Sequence, residues 1–207
     1  RTVTGSLHML EFAGRRVFLD CGLFQGRPSQ ATEYNRQFPA DPAGVDAVFL
    51  SHAHIDHSGL LPRLYRDGFR GTVYATGATR DLCAWMLADS AHIQEREMER
   101  KRRRRGRRRG REDEAEFEVL YDQDDVEGVM ELFESVAYGE PFRPFPEVEA
   151  EYRDAGHILG SASMALTLSE DGRTVRVGFT GDLGMSDRPI LRDPQPLPDV
   201  DVLICES

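Results

Sequence analysis

Within the stretch SHAHIDHSGL, residues 52 to 57 place three histidines and an aspartate in six positions, directly after the apolar run DAVFL. The whole chain holds only six histidines. A single histidine inside a protein is usually a polar group with a hydrogen-bond partner. Three with a carboxylate, in a turn that follows a strand, form a donor set for metal. Imidazole nitrogen and carboxylate oxygen both suit zinc, and no cysteine stands close by to add sulfur. In the pattern H-x-H-x-D-H, His52 and His54 lie two apart in an extended turn and can point at one ion. Asp56 and His57 are displaced along the chain and can serve a second.

Asp20 in FLDCG, His157 in DAGHILGSAS and Asp182 in FTGDLG each follow a strand-like apolar run and lie close to a glycine. Side chains at strand ends can converge from distant segments while the strands stay rigid. His157 would complete the first ligand set. Asp182 has the short carboxylate needed to bridge two ions, which sit about 3.5 to 4 Å apart in two-metal hydrolases. Asp20 suits a supporting place, accepting the N–H of a ligand imidazole. His8 and His92 have no such company and read as packing or surface residues.

The elements that must position these residues follow from hydrophobic spacing. SLHMLEF and RRVFLDCG read as strands joined by a turn at AG. VDAVFLSH is a third strand, apolar along most of its length, as expected when both faces are covered. SGLLPRLYRDGF has the spacing of a short helix, and GTVYATG is a fourth strand. ATRDLCAWMLADSAHIQEREMER and DDVEGVMELFESV read as amphipathic helices, the second opening on acidic residues suited to a helix N-terminus. Strands return in EVEAEYRDAG, in SASMALTLSEDGRTVRVGFTGD as a hairpin turning at EDG, and in DVLICES.

Between the two helices, KRRRRGRRRGR holds nine basic residues, and the acidic block EDEAEFE follows it. A flexible basic loop is expected at about 101 to 115. The net charge is −10 with this run and, once its nine positive charges are set aside, −19 without it. Most of the surface should therefore repel phosphate backbones while one arm attracts them. Either the acidic block neutralises the arm as a solvated loop, or Lys101, Arg102, Arg103, Arg104, Arg105, Arg107, Arg108, Arg109 and Arg111 contact nucleic acid. No apolar run reaches the ~18 to 20 residues of a membrane span. Cys21, Cys83 and Cys205 are odd in number and widely spaced. They read as buried small apolar residues in a reducing, cytoplasmic setting.

Taken together, RTVTGS, FLDCGLFQG, SHAHIDHSGLLPRL, DAGHILGSAS, TGDLG and CES span essentially the whole chain apart from the basic run. They resemble the metallo-β-lactamase fold and, within it, the β-CASP group of nucleic-acid-processing hydrolases, closest in look to bacterial relatives of the mRNA 3′-end-processing endonuclease. The resemblance implies an α/β fold, the αββα four-layer sandwich, with residues 1 to 207 as its N-terminal portion and two zinc ions at one edge. It places ligation on His52, His54, Asp56, His57, His157 and Asp182, in agreement with the division reached from spacing. Asp56, Asp182 and Glu206 are the expected catalytic carboxylates. Glu206 would support a general-acid histidine in a β-CASP domain beyond Ser207, where a further zinc ligand is also expected.

The expected function is a zinc-dependent phosphodiesterase acting on RNA, in single-stranded form, as an endoribonuclease of RNA processing or decay. A hydroxide activated by the two zincs would attack phosphorus. Manganese or iron could replace zinc, and a second copy of the chain is a candidate partner. Three rivals stand beside this expectation: a small-molecule hydrolase of the same fold such as a thioesterase or lactonase, a DNA-directed nuclease, and an inactive scaffolding subunit.

Overall fold

The computed structural model describes residues 5–26, 33–105 and 119–205. Two five-stranded sheets form the framework. The first runs β1 (His8–Phe12), β2 (Arg15–Leu19), β3 (Ala47–Phe49), β4 (Thr72–Thr76), β5 (Phe133–Val136), in that order. β1 and β2 are an antiparallel hairpin, and the pairs from β2 through β5 are parallel. The second sheet contains β6 (Phe142–Phe145), β7 (Val148–Asp154), β8 (Ala162–Glu170), β9 (Arg173–Phe179) and β10 (Val202–Ile204). Its spatial order is β10-β9-β8-β7-β6, antiparallel except for the β9–β10 pair.

Both hairpins expected from the sequence turn where it directs. Ala13 and Gly14 have φ of 46° and 73°, and Asp171 and Gly172 in EDG have 49° and 74°. Two consecutive left-handed residues match the right-handed twist of the strands they join. The helices are α1 (Ile55–Ser58), α2 (Leu61–Arg66), α3 (Gly77–Arg105) and α4 (Gln123–Met130).

Two cores sandwich the first sheet. Val17, Leu19, Ala47 and Phe49 meet Ala150, Tyr152, Met164 and Phe179 between the sheets. Phe18, Val48 and Val73, on the opposite face, meet Leu61, Leu64, Leu87, Val126 and Val129 of the helices. Every residue of β3 is buried, as its continuous apolar run requires. Val48 and Phe49 each contribute about 1.5 to 3 kcal/mol by leaving water. The Tyr152 hydroxyl crosses between the sheets and donates to the Tyr74 carbonyl at 2.9 Å.

Two expectations need correction. DDVEGVMELFESV is not one helix: α4 ends at Met130, and Phe133–Val136 is β5. Phe133 continues the helical spacing of Val126, Val129 and Met130, but β4 would otherwise present unpaired backbone groups, and β5 closes that edge. The basic run is not a loop from its start, since α3 continues through Arg105; residues 106–118 lie outside those described. Helices α1 to α4 all pack on the first sheet. The two sheets and the helical layer on the first give the mixed α/β layering expected. Two smaller differences concern β6, an edge strand carrying Pro144 that the spacing did not reveal, and Cys205, which is exposed.

Candidate metal centre

Four strand ends meet at one edge of the sandwich. Beyond β2, Asp20 takes φ of 59°, the left-handed region an aspartate tolerates, and turns its carboxylate into the protein, where it is fully buried. Beyond β3, Ser51 to His54 leave regular structure, and α1 then lifts Asp56 and His57 along the chain. Beyond β7, the Ser161 hydroxyl accepts from the backbone N–H groups of His157 and Ile158 and holds that turn closed. Beyond β9, Gly181 at φ 51° passes so close to Ser51 that a Cβ would stand 2.7 Å from the serine Cβ. Only glycine permits that approach, and it sets the position of Asp182.

The candidate ligand atoms form two groups that share one carboxylate. His52 Nε2 lies 3.0 Å from His54 Nδ1, and His157 Nε2 lies 3.2 Å from that same Nδ1. Asp182 Oδ2 is 3.8 Å from His52 Nε2 and 3.2 Å from His157 Nε2. Four ligands about 2.1 Å from one zinc in a tetrahedron would be about 3.4 Å apart. These four donors, all within 4.8 Å of one another, fit that requirement. The other oxygen, Asp182 Oδ1, lies 3.3 Å from His57 Nε2, and Asp56 Oδ2 lies 3.9 Å from the same nitrogen. The second group is the sparser one, with His57, Asp56 and the shared Asp182.

A hydrogen-bond network behind the ligands decides which nitrogens face inward. Asp20 Oδ2 accepts from His57 Nδ1 at 2.6 Å and from the Ser51 hydroxyl at 2.9 Å, while Oδ1 accepts from the Ser51 backbone N–H at 2.7 Å. Having donated its proton to Asp20, the Ser51 hydroxyl is left to accept from His52 Nδ1 at 3.0 Å. Both imidazoles thus carry a proton on Nδ1 and turn Nε2 toward Asp182. Burial works to lower the His57 pKa, but hydrogen bonds with Asp182 and Asp20 outweigh it and push it up to about 10. A metal bound there must displace that proton. His52 is pushed down to about 2 by burial and then by neighbouring His57, so its imidazole is neutral and ready to ligate.

The structure therefore brings together His52, His54, Asp56, His57, His157 and Asp182, with Asp20 behind them. Glu206 lies outside the described residues, as do Arg107, Arg108, Arg109 and Arg111. Lys101, Arg102, Arg103, Arg104 and Arg105 sit at the end of α3, with Arg103 exposed and paired with Glu99 at 3.5 Å. His92 is exposed on α3, and the His8 ring packs edge-on against Phe179. Ser51 is the participant that sequence reasoning missed, and its adjacency to His52 was the available signal. Ser51→Ala is expected to weaken zinc binding about 10- to 100-fold, with Ser51→Thr restoring most of it. Zinc titration of the chelated protein checks this.

Comparison with known proteins gives the same class. The family model described as "Beta-lactamase superfamily domain" matches residues 15–207, and the chain belongs to that family. It is 36% identical over 207 residues to Ribonuclease TTHA0252 of Thermus thermophilus, covering 100% of this chain and 41% of that protein. It is 32% identical to Cleavage and polyadenylation specificity factor 73 of Drosophila melanogaster, covering 96% of this chain and 26% of that one. Transcription termination factor FttA of Methanothermobacter thermautotrophicus is also 32% identical, with 100% and 30% covered. The chain thus spans less than half the length of these curated relatives. Among solved structures, BJP-1, a subclass B3 metallo-β-lactamase of Bradyrhizobium japonicum, aligns with TM-score 0.53 at 12% identity, covering 96% of this chain and 70% of that one. A Cronobacter sakazakii metallo-β-lactamase gives 0.52 at 17%, covering 89% and 59%. At that identity the likeness establishes the fold alone.

Proposed function

We propose that this chain supplies the metal centre of a zinc-dependent phosphodiesterase that cleaves RNA. The observation that carries the reading is the shared carboxylate: Asp182 turns Oδ2 to the His52, His54 and His157 group and Oδ1 to His57. His52, His54, His157 and Asp182 would hold one zinc, and Asp56, His57 and Asp182 the other. When bound, the pair would supply an activated water nucleophile and neutralise charge developing on the phosphoryl oxygens. The protein's own part is positional. Asp20 keeps the His57 proton on Nδ1, and through Ser51 it does the same for His52. The imidazole and carboxylate donors would also accept manganese or iron.

RNA as the substrate class is supported by the relatives, one named as a ribonuclease, one as a cleavage and polyadenylation factor, and one as a transcription termination factor. No helix among the described residues is long and apolar enough to cross a membrane. The test is a substrate panel for the whole zinc-loaded protein: single-stranded RNA, single-stranded DNA, a lactone and a thioester. RNA cut internally and in preference to the others is the expected result. Turnover of the lactone or thioester with RNA left intact would replace this reading by that of a small-molecule hydrolase.

The basic run is a candidate phosphate-binding arm in the same reading. Replacing its arginines by glycine and serine is then expected to lower the log–log salt slope of RNA binding by ~0.7 for each phosphate that is no longer neutralised. An unchanged slope would assign the run to solvent.

A further inference from the structure

A cavity of about 590 Å³ opens beside His157, lined by Leu183, Met185, Arg188, Pro189 and Leu191 together with the Gly156–His157 turn. That volume suits a ligand the size of a nucleotide. Among the described residues, Arg188 is its one permanently charged side chain. The guanidinium is exposed, and among the described residues its one hydrogen bond is to Met185 Sδ, at 3.3 Å. Leu183 and Met185 are 52% and 65% exposed, far more than apolar side chains need be if packing were their purpose.

The loop that presents Arg188 is fixed to the turn that presents His157. The Gly184 N–H donates to the Ala155 carbonyl at 2.8 Å, and a Cβ on Gly184 would overlap the Gly156 carbonyl. The Gln195 N–H donates to the Asp154 carbonyl at 2.8 Å, and its side chain accepts from the Asp154 N–H at 3.2 Å. Between these anchors, Asp187 and Ile190 take φ of 61° and 76°. An isoleucine in the left-handed region is a true outlier, and Ile190 is 90% exposed, so no packing around its side chain compensates the strain. Strain that the surroundings hold in place, next to a reactive centre, is a pointer to function.

Resting on the nuclease reading above, we infer that this cavity binds the nucleotide next to the scissile bond. Arg188 pairs with the phosphate adjacent to the one being cleaved, and Leu183 and Met185 carry a base. A guanidinium with no carboxylate partner among the described residues is suited to that role in a protein of net charge −10. The adaptable Met185 thioether accepts any base face.

The experiment compares two substrates in the whole zinc-loaded protein: a short single-stranded RNA, and bis(p-nitrophenyl) phosphate, a diester with no neighbouring phosphate. Arg188→Ala is expected to lower kcat/KM on RNA about 10- to 100-fold more than on the small diester, chiefly through KM. Arg188→Lys should recover most of the difference. Arg143→Ala, on the far edge of the second sheet, should keep the wild-type ratio. RNA binding by chelated Arg188→Ala protein should show a salt slope smaller by ~0.7. Equal losses on both substrates, or an unchanged ratio and slope, would overturn the inference while the nuclease reading stands. A wild-type protein that cleaves neither substrate would overturn the nuclease reading and this inference with it.

Discussion

Asp182→Ala is expected to reduce the metal content of the purified protein and to bring RNA cleavage down to background. The reason is geometric. Each of the two donor groups uses a different oxygen of this carboxylate, Oδ2 facing His52 and His157 and Oδ1 facing His57. Among the described residues no other side chain is shared between them, so one substitution takes a ligand from both. His92, exposed on α3, provides the contrast, and His92→Ala should alter neither quantity. Metal analysis after desalting, beside a cleavage assay, checks both variants. Full zinc occupancy in Asp182→Ala would remove this residue from the ligand set.

Asp20 should prove almost as costly, through stability as well as metal binding. Its buried carboxylate accepts three hydrogen bonds, from the Ser51 N–H, the Ser51 hydroxyl and His57 Nδ1. Asp20→Ala orphans three buried donors at about 1 to 3 kcal/mol each, a loss of roughly 3 kcal/mol or more. Asp20→Asn separates the two effects. The amide fills the same space and preserves much of the fold, but it sets an N–H donor against groups that must themselves donate. His57 then meets it by shifting its proton to Nε2, the atom that faces Asp182, and the second donor group loses its nitrogen. The expected pattern is a large drop in denaturation midpoint for Asp20→Ala and a smaller one for Asp20→Asn, with weakened zinc binding in both. Wild-type zinc binding in Asp20→Asn would show that the carboxylate does not set the tautomer.

The candidate metal centre was legible in the chain because it is written in residue types at short spacing. H-x-H-x-D-H declares its donors, and a lone Asp or His just past an apolar run marks a strand end. The division of His52 and His54 from Asp56 and His57 follows from α1 beginning after His54. What spacing could not show depends on long-range geometry. Ser51 matters only because Asp20 turns left-handed beneath it and Gly181 lets the segment after β9 press against it. β5 was hidden because Phe133 fits a helical stripe until the open edge of β4 is taken into account. Pro144 disguised β6. The Arg188 cavity needs the 183–191 loop folded back against the His157 turn, and those two segments have no common motif.

The central claim, a two-metal centre that hydrolyses RNA, is tested most directly by adding zinc stepwise to the chelated whole protein while internal cleavage of a single-stranded RNA is followed. The first equivalent should enter the His52, His54, His157 and Asp182 group with little cleavage. Activity should rise as the second fills the Asp56, His57 and Asp182 group. Full cleavage by the chelated protein, or no cleavage at any zinc loading, would contradict the account.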